Sequence, residues 1–95
     1  MIIALVTSAK AQISGDIVDT NGFPIAYASA MYKGHHIAVS SDMNGHFTID
    51  RHEGWALTFS SMGFKAQTIK VDAKTPSTMK IVLKEDTKNL SEVLV

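Results

Sequence analysis

Regular structure in this chain begins with residues 13–24, which read ISGDIVDTNGFP. Apolar Ile13 and Ile17 alternate with polar neighbours, and this period of two predicts a β-strand. The strand is predicted to end at Asp19, because asparagine and glycine in the adjoining TNG adopt positive φ at little steric cost. Pro24 then fixes an extended conformation that leads into a second strand. A strand, a turn and an extended return predict β-structure from the outset.

The same period of two recurs to the end of the chain. Six further strands are predicted, at 26–32, 36–40, around 47–49, 55–60, 67–71 and 79–84. No segment carries a helical stripe longer than one turn, and turn residues recur at the spacing typical of a β-sandwich. The inter-sheet core is predicted to contain the large apolar side chains of Phe47, Trp55, Leu57, Phe59 and Leu83.

Composition narrows the functional classes. The chain has 95 residues, enough for one domain, and nine Lys plus Arg balance nine Asp plus Glu. Without a basic surplus, nucleic acid is not expected as a partner. No run approaches the ~20 apolar residues of a membrane span, so direct membrane insertion is not expected. Cysteine is absent, which excludes disulfides, thiolate metal sites and cysteine nucleophiles.

Residues 1–11 differ from the rest of the chain. An apolar run at 2–6 is followed by Ala9-Lys10-Ala11, whose small first and third residues match a signal-peptidase site. We therefore expect 1–11 to be the remnant of a signal peptide and the protein to be exported. The alternative is an N-terminal strand that packs on the sheet. Gln12 is not cysteine, so lipid anchoring of the mature end is excluded.

Several motifs, in order, resemble the carboxypeptidase regulatory-like domain. They are ISGDIVD at 13–19, NGFPI at 21–25, DMNGHF at 42–47, LTFSSMGF at 57–64 and IVLK at 81–84 followed by LSEVLV at 90–95. Each motif is weak by itself, but five in the right order make a strong joint signal. With this last segment, the chain is most similar to the N-terminal extension of SusC-type TonB-dependent outer-membrane receptors of Bacteroidetes.

The resemblance implies a fold, a location and partners. The fold would be an all-β, seven-stranded transthyretin (prealbumin)-like Greek-key β-sandwich over 12–84. Residues 85–95 would be an exit linker or strand toward the plug domain and transmembrane barrel of the same receptor. The domain would lie at the periplasmic face of the outer membrane, in contact with that plug and barrel, and would have TonB or another envelope protein as a candidate partner. No cofactor is implied.

The positions shared with the family have structural explanations, chiefly as turns, extended entries and core. They are Gly15, Asp19, Gly22, Pro24, Asp42, Gly45, Phe47, Gly63 and Phe64. Gly63 is expected to permit a bulge, with Phe64 folding back on the core. Candidate partner-binding residues lie in the last segment, since receptors of this kind lead there toward a box that binds TonB by strand addition. These residues are Leu90, Glu92, Val93 and Val95; a final edge strand or a simple tether is the alternative.

No catalytic, cofactor-binding or metal-ligating residue is assigned. The four histidines, His35, His36, His46 and His52, are interpreted as solvated turn residues. Asp42, Asn44 and Glu53 have the spacing of part of a calcium loop, but Phe47 stands where that loop needs glycine. Ser60 and Ser61 lack the G-x-S-x-G elbow of an activated nucleophile.

We therefore predict a non-catalytic periplasmic accessory domain of a TonB-dependent receptor. One alternative is a fold-assisting domain attached to a secreted enzyme such as a zinc carboxypeptidase. Another is a glycan-binding module, but Trp55 falls on an inward-alternating face, and Tyr27 and Tyr32 fall on opposite faces of the predicted strand.

Overall fold

A computed structural model describes residues 11–86, and within that range the chain forms β-strands and no helix. The strands are β1 Gln12–Val18, β2 Ser29–Tyr32, β3 Ala38–Ser40, β4 His46–Asp50, β5 Ala56–Ser60, β6 Gln67–Lys70 and β7 Thr78–Val82. The prediction of an all-β chain with seven strands is confirmed. In this part of the chain, no helix has the length and apolar character needed to cross a membrane.

The strands form two sheets. One has three strands in the order β4-β1-β7, and the other has four in the order β3-β2-β5-β6. β1 pairs antiparallel with β4 and parallel with β7, whereas the pairs of the second sheet are all antiparallel. The chain passes from one sheet to the other at β1–β2, β3–β4, β4–β5 and β6–β7. These crossings give the two sheets a shared core.

The core lies between the sheets and is built by alternate residues of each strand. In β1, for example, Ile13 and Ile17 are fully buried while Asp16 is exposed. Phe47 from one sheet meets Phe59 from the other edge to face, with ring centroids 5.2 Å apart. Burial of each such side chain contributes about 1.5–3 kcal/mol. The buried apolar cluster comprises Ile13, Ile17, Ile25, Ala28, Ala30, Tyr32, Phe47, Ile49, Leu57, Phe59, Val71, Ile81 and Leu83.

The second strand is shorter than predicted. The prediction was 26–32, but β2 begins at Ser29, because Ala26 and Tyr27 form a turn in which Tyr27 has φ 60°. Ala26 is consequently exposed and does not share the buried face of Ala28 and Ala30. A non-glycine residue with positive φ is uncommon, and the hydrophobic pattern carried no sign of it.

The loops divide between the two ends of the sandwich. Strands β1, β3, β5 and β7 all terminate on the same side of the sandwich, which we call the exit end. It carries loop 19–28, turn 41–45, turn 61–66 and the segment 83–86. The opposite end carries turn 33–37, segment 51–55 and loop 71–77.

Candidate functional site: the two ends of the sandwich

A buried hydroxyl joins two loops of the exit end. Ser41 is 1% exposed, and its Oγ donates to the carbonyl oxygen of Ile25 at 2.8 Å and accepts from the amide of Ala28 at 2.8 Å. The backbone of Ser41 also pairs with the amide of Tyr27 and the carbonyl of Ala28. Loop 19–28 and turn 41–45 are therefore one unit, and its buried polar groups are satisfied.

Two aspartates build matching turns at this end. Asp19 Oδ1 accepts from two amides within the next four residues, at 2.8 and 3.0 Å. Asp42 Oδ1 accepts from the amides of His46 at 2.9 Å and Asn44 at 2.8 Å. Those two hydrogen bonds, His46 first, lower the pKa of Asp42 below its ordinary value, because they favour the charged carboxylate. Both carboxylates thus hold the backbone in place.

Two glycines are needed where backbone segments approach closely. A Cβ on Gly15 would lie 1.9 Å from the carbonyl oxygen of Met79, in the neighbouring strand β7. A Cβ on Gly45 would lie 2.6 Å from the carbonyl oxygen of Ile17, and Gly45 also has φ +78°. Gly22, by contrast, has φ +86° with no atom within 4 Å of the Cβ position. The first two positions exclude any side chain, whereas Gly22 is required by conformation alone.

Pro24 and Phe47 connect these turns to the sheets. Pro24 forms an isolated antiparallel bridge with Val18, at the end of β1. Phe47, just after the Asp42 turn, is 2% exposed and enters the core. Loop 19–28 is therefore attached to the three-stranded sheet through Pro24 at the end of β1. Turn 41–45 is attached to the same sheet through Phe47 at the start of β4.

The segment after β7 is held against turn 61–66. The amide of Lys65 donates to the carbonyl of Lys84 at 2.8 Å, and the amide of Asp86 donates to the carbonyl of Gly63 at 2.9 Å. Phe64, partly buried against the core, forms an antiparallel bridge with Glu85 between these bonds. Gly63 has φ +87° and lies in a turn after the end of β5, not in a bulge within a strand.

Four large apolar side chains are exposed on the loops of the exit end. Their exposed fractions are 65% for Phe23, 68% for Tyr27, 74% for Met43 and 97% for Met62. We call these four residues the exit rim. Scattered exposed apolar residues are ordinary, but a group on one end of a small domain marks a candidate interaction surface.

The opposite end has an aromatic stack instead. Trp55 lies between two imidazole rings, that of His35 at a centroid distance of 3.4 Å and that of His52 at 4.2 Å, both nearly parallel to the indole. Tyr32 meets the edge of the indole at 5.5 Å. Trp55 is only half-buried, and His35 and His52 are partly buried, so the interpretation of these two histidines as solvated is wrong. His36 and His46 are exposed.

Below this stack, polar side chains tie the loops together. The Tyr32 hydroxyl donates to the carbonyl of Asp50 at 2.5 Å and accepts from the amide of His52 at 3.2 Å. Burial raises the pKa of Tyr32 above its ordinary value. Arg51 Nη2 donates to the carbonyls of Asp72 and Thr75, each at 2.7 Å, and its side chain is 11% exposed. These groups join the end of β2 and loop 71–77 to segment 51–55.

Within residues 11–86, no three His, Asp or Glu side chains lie together as metal ligands. Asp42 and Asn44, two members of the considered calcium loop, are instead the two ends of an Asx-turn hydrogen bond. The candidate partner-binding residues Leu90, Glu92, Val93 and Val95 lie outside the described residues, as does most of the segment expected to be a signal-peptide remnant.

Sequence reasoning missed the roles of Ser41, Arg51 and the histidine–tryptophan stack. Ser41 had one signal, its position directly before the DMNGHF motif at 42–47. Arg51 and His52 read only as a polar turn, because their partners in loop 71–77 and at Tyr32 are distant in sequence.

Comparisons of the sequence with known proteins match this chain to one family. The sequence model of the CarboxypepD_reg-like domain family matches residues 13–95. A curated relative, "TonB-dependent receptor SusC" of Bacteroides thetaiotaomicron, is 31% identical over 83 residues, which are 87% of this chain. The match spans only 8% of the length of that receptor.

Proposed function

We propose, from the premise that this chain belongs to the CarboxypepD_reg-like domain family, that it is a non-catalytic accessory domain of a TonB-dependent, SusC-like outer-membrane receptor. The observation that carries the proposal is the similarity to the SusC receptor over 83 residues, which are 87% of this chain. Its fractional coverage of that receptor supports a role as one domain of a larger protein.

The use of the polar side chains supports a structural role. Ser41, Tyr32, Asp19 and Asp42 each bind backbone groups of the domain itself. A catalytic group needs a free atom directed at a substrate, with a partner that activates it. Because these side chains already form hydrogen bonds to the backbone of the domain, a structural role is better supported than a catalytic one.

The strand order supports the finer fold that the family resemblance implies. In a Greek-key sandwich the chain crosses repeatedly between sheets, as it does here at four of its connections, β1–β2, β3–β4, β4–β5 and β6–β7. We therefore propose a transthyretin-like topology for the domain over residues 12–84, with 85–95 as the exit linker or strand.

The proposed partners rest on the same similarity. The downstream plug and barrel would be joined through residues 85–95, and TonB or another envelope protein would contact Leu90, Glu92, Val93 and Val95. The domain would stand at the periplasmic face of the outer membrane after removal of residues 1–11 as part of a signal peptide. The anchored exit of the chain, between Lys84 and turn 61–66, supports a fixed direction toward the rest of the receptor.

A glycan-binding role has less support. Sugar rings stack on free aromatic faces, and both faces of Trp55 are covered by His35 and His52. Among the described aromatic residues, Phe23 and Tyr27 are exposed, but they occupy a loop at the other end.

Deletion of the domain from the parent receptor tests the proposal. Residues 12–84 are removed in frame, with the signal sequence kept, and nutrient import and cross-linking to TonB are measured in cells. We expect the receptor to reach the outer membrane with impaired import. Import and TonB cross-linking at the intact level would refute the accessory role.

Two point variants test whether import needs the domain to be folded or needs only the presence of its polypeptide. Gly15→Ala places a methyl group against the β7 backbone, whereas Gly22→Ala adds one in open space. If the folded domain is needed, Gly15→Ala in the receptor impairs import and Gly22→Ala leaves it nearly intact. Equal import by the two variants would contradict the need for a folded domain.

A further inference from the structure

β7 is an edge of the three-stranded sheet that the described fold leaves open. Its inner side pairs in parallel with β1, and the amide of Leu83 extends this ladder by donating to the carbonyl of Val18. The bonds of a parallel ladder turn every second residue toward the partner strand and the residues between them away from it. Thr78, Lys80 and Val82 therefore direct their amide and carbonyl groups outward, where no residue within 11–86 bonds to them.

The other three edges of the described sheets are shorter or already used. β3 and β6 have three and four residues, against five in β7. β4 also has five, but the amide and the carbonyl of its outward-facing His46 both bond to Asp42. The carbonyl of Asp50, at the end of β4, accepts from the hydroxyl of Tyr32. Among residues 11–86, β7 therefore offers the longest free row of backbone donors and acceptors.

The continuation of this edge is already paired with a neighbouring segment. The carbonyl of Lys84 accepts from the amide of Lys65, and the amide of Asp86 donates to the carbonyl of Gly63. Residues 63–65 thus lie beside the chain after β7 in the position of an adjacent strand. An extended segment beside Thr78–Val82 would lie in line with them.

A row of alternating charge crosses the outer face of this sheet and stops at Lys80. Asp16 on β1 is the register partner of His46 on β4 and of Lys80 on β7, and all three residues are exposed. Asp16 Oδ1 lies 3.2 Å from Nδ1 of His46. Lys80 forms no ion pair with any residue within 11–86. The next position in the row, beyond Lys80, is therefore suited to a carboxylate on an added strand.

We infer that β7 binds an extended acidic peptide segment of another protein, which joins the three-stranded sheet as a fourth strand. A carboxylate of the segment lies opposite Lys80. An apolar side chain two residues away lies on the same face, opposite Val82, which is 40% exposed. Backbone hydrogen bonds supply the affinity, and these two side-chain positions supply the selectivity. The binding needs only the sandwich and stands whether or not the receptor role holds.

The charge of this flank favours an acidic segment over a second copy of the chain. β3 and β4, at the opposite edges of the two sheets, contact each other, so β6 and β7 lie along the same flank. These two strands carry Lys70 and Lys80 and no acidic residue. Two β7 edges placed side by side would bring lysines together on one face, and like charges disfavour such a pair.

Peptide titration of the intact 95-residue chain tests the inference. The probe is acetyl-Thr-Val-Thr-Glu-Thr-Val-Thr-amide, in which the glutamate lies two residues from a valine in either chain direction. Amide proton exchange is followed by NMR during the titration. We expect the amides of Thr78, Lys80 and Val82 to exchange rapidly without peptide and to become protected as it binds, because they then donate to the peptide.

Two results of this titration would overturn the inference. One is the absence of binding at millimolar peptide, or binding that leaves these three amides unprotected. The other is protection of the same amides without peptide. Protection that is independent of protein concentration would mean that the chain itself covers the edge, and protection that grows with concentration would mean that a second copy does.

Exchange of charge separates strand addition from general attraction to a positive flank. Lys80→Glu should weaken binding of the glutamate peptide about five- to tenfold. The same peptide with lysine in place of glutamate should bind Lys80→Glu better than it binds the wild type. Lys70→Glu is the matched control on β6 and should change each affinity by at most about twofold. Equal weakening by the two variants would contradict a carboxylate site opposite Lys80.

Discussion

Replacing Gly15 by alanine perturbs the contact between β1 and β7 and tests how the first sheet is held together. The added Cβ would lie 1.9 Å from the carbonyl oxygen of Met79, whereas ordinary contact begins at 3.4 Å. The strands must therefore separate by the difference of about 1.5 Å, or distort to a similar extent. Both atoms belong to paired backbone, so no flexible side chain can move aside.

The expected loss of stability has two parts. Overpacking in a well-packed interior costs about 1–3 kcal/mol. The neighbouring bond from Ser14 N to Ser77 O, now 2.8 Å, would lengthen beyond hydrogen-bonding distance, and each lost bond adds ~1 kcal/mol. We therefore expect Gly15→Ala to lower the free energy of unfolding by about 2–4 kcal/mol, a large share of the ~5–15 kcal/mol typical of a domain.

Urea unfolding followed by the fluorescence of Trp55, the one tryptophan in the chain, measures this loss. Gly22→Ala is the control. Gly22 has φ +86° and no atom within 4 Å of its Cβ position, so an alanine there costs only the ~1–2 kcal/mol of backbone strain. A Gly15→Ala variant no less stable than Gly22→Ala would refute the reasoning from close approach.

Three further changes test the loops and the titrating groups. Ser41→Ala leaves the Ala28 amide and the Ile25 carbonyl without a partner, and should cost about 2–4 kcal/mol in the same urea assay; a loss below ~1 kcal/mol would contradict the role of the hydroxyl. Tyr32→Phe should cost about 1–2 kcal/mol at neutral pH. Burial raises the pKa of Tyr32, so the contribution of its hydroxyl to stability is complete below about pH 10 and declines as the pH rises through the raised pKa. The difference in stability between the wild type and Tyr32→Phe should therefore narrow in urea titrations at alkaline pH. A difference that stays constant with pH would contradict this. The pKa of Asp42 is lowered in the folded state, so the contribution of its carboxylate to stability is present above about pH 4 and declines as the pH falls through the lowered pKa. The wild type should therefore lose stability relative to Asp42→Asn in acid. Parallel pH profiles of the two proteins would argue against the turn hydrogen bonds.

The alternation of apolar residues was enough to predict most of the fold. Ile13 with Ile17 and Leu57 with Phe59 follow a strict period of two and are buried, because each strand packs one face on the core. The aspartate–glycine turns were readable for a similar reason, since their hydrogen bonds join residues two to four positions apart.

Features that depend on distant residues were not readable. The parallel pairing of β1 with β7 joins the two ends of the described chain, and the close approach at Gly15 exists only in that pairing. The stack of His35, Trp55 and His52 combines two loops whose sequences read as ordinary polar turns. Alternation places Trp55 inward, but β5 begins one residue later, and Trp55 remains half-buried at the edge of the core.

The exit rim shows the limit of reading function from pattern. Phe23, Met43 and Met62 lie in three turns that are far apart in the sequence, and nothing in their spacing joins them. Only the topology, in which four strands terminate on one side of the sandwich, brings their loops to the same end.

The central claim, that this chain is one domain of a TonB-dependent outer-membrane receptor, is tested most directly by the size and location of the native protein. An antibody raised against the folded domain is used on separated cytoplasmic, periplasmic and outer-membrane fractions of the source cells. The account predicts one outer-membrane protein much larger than a 95-residue chain. A free species of about the size of this chain, in the periplasm or the cytoplasm, would contradict it.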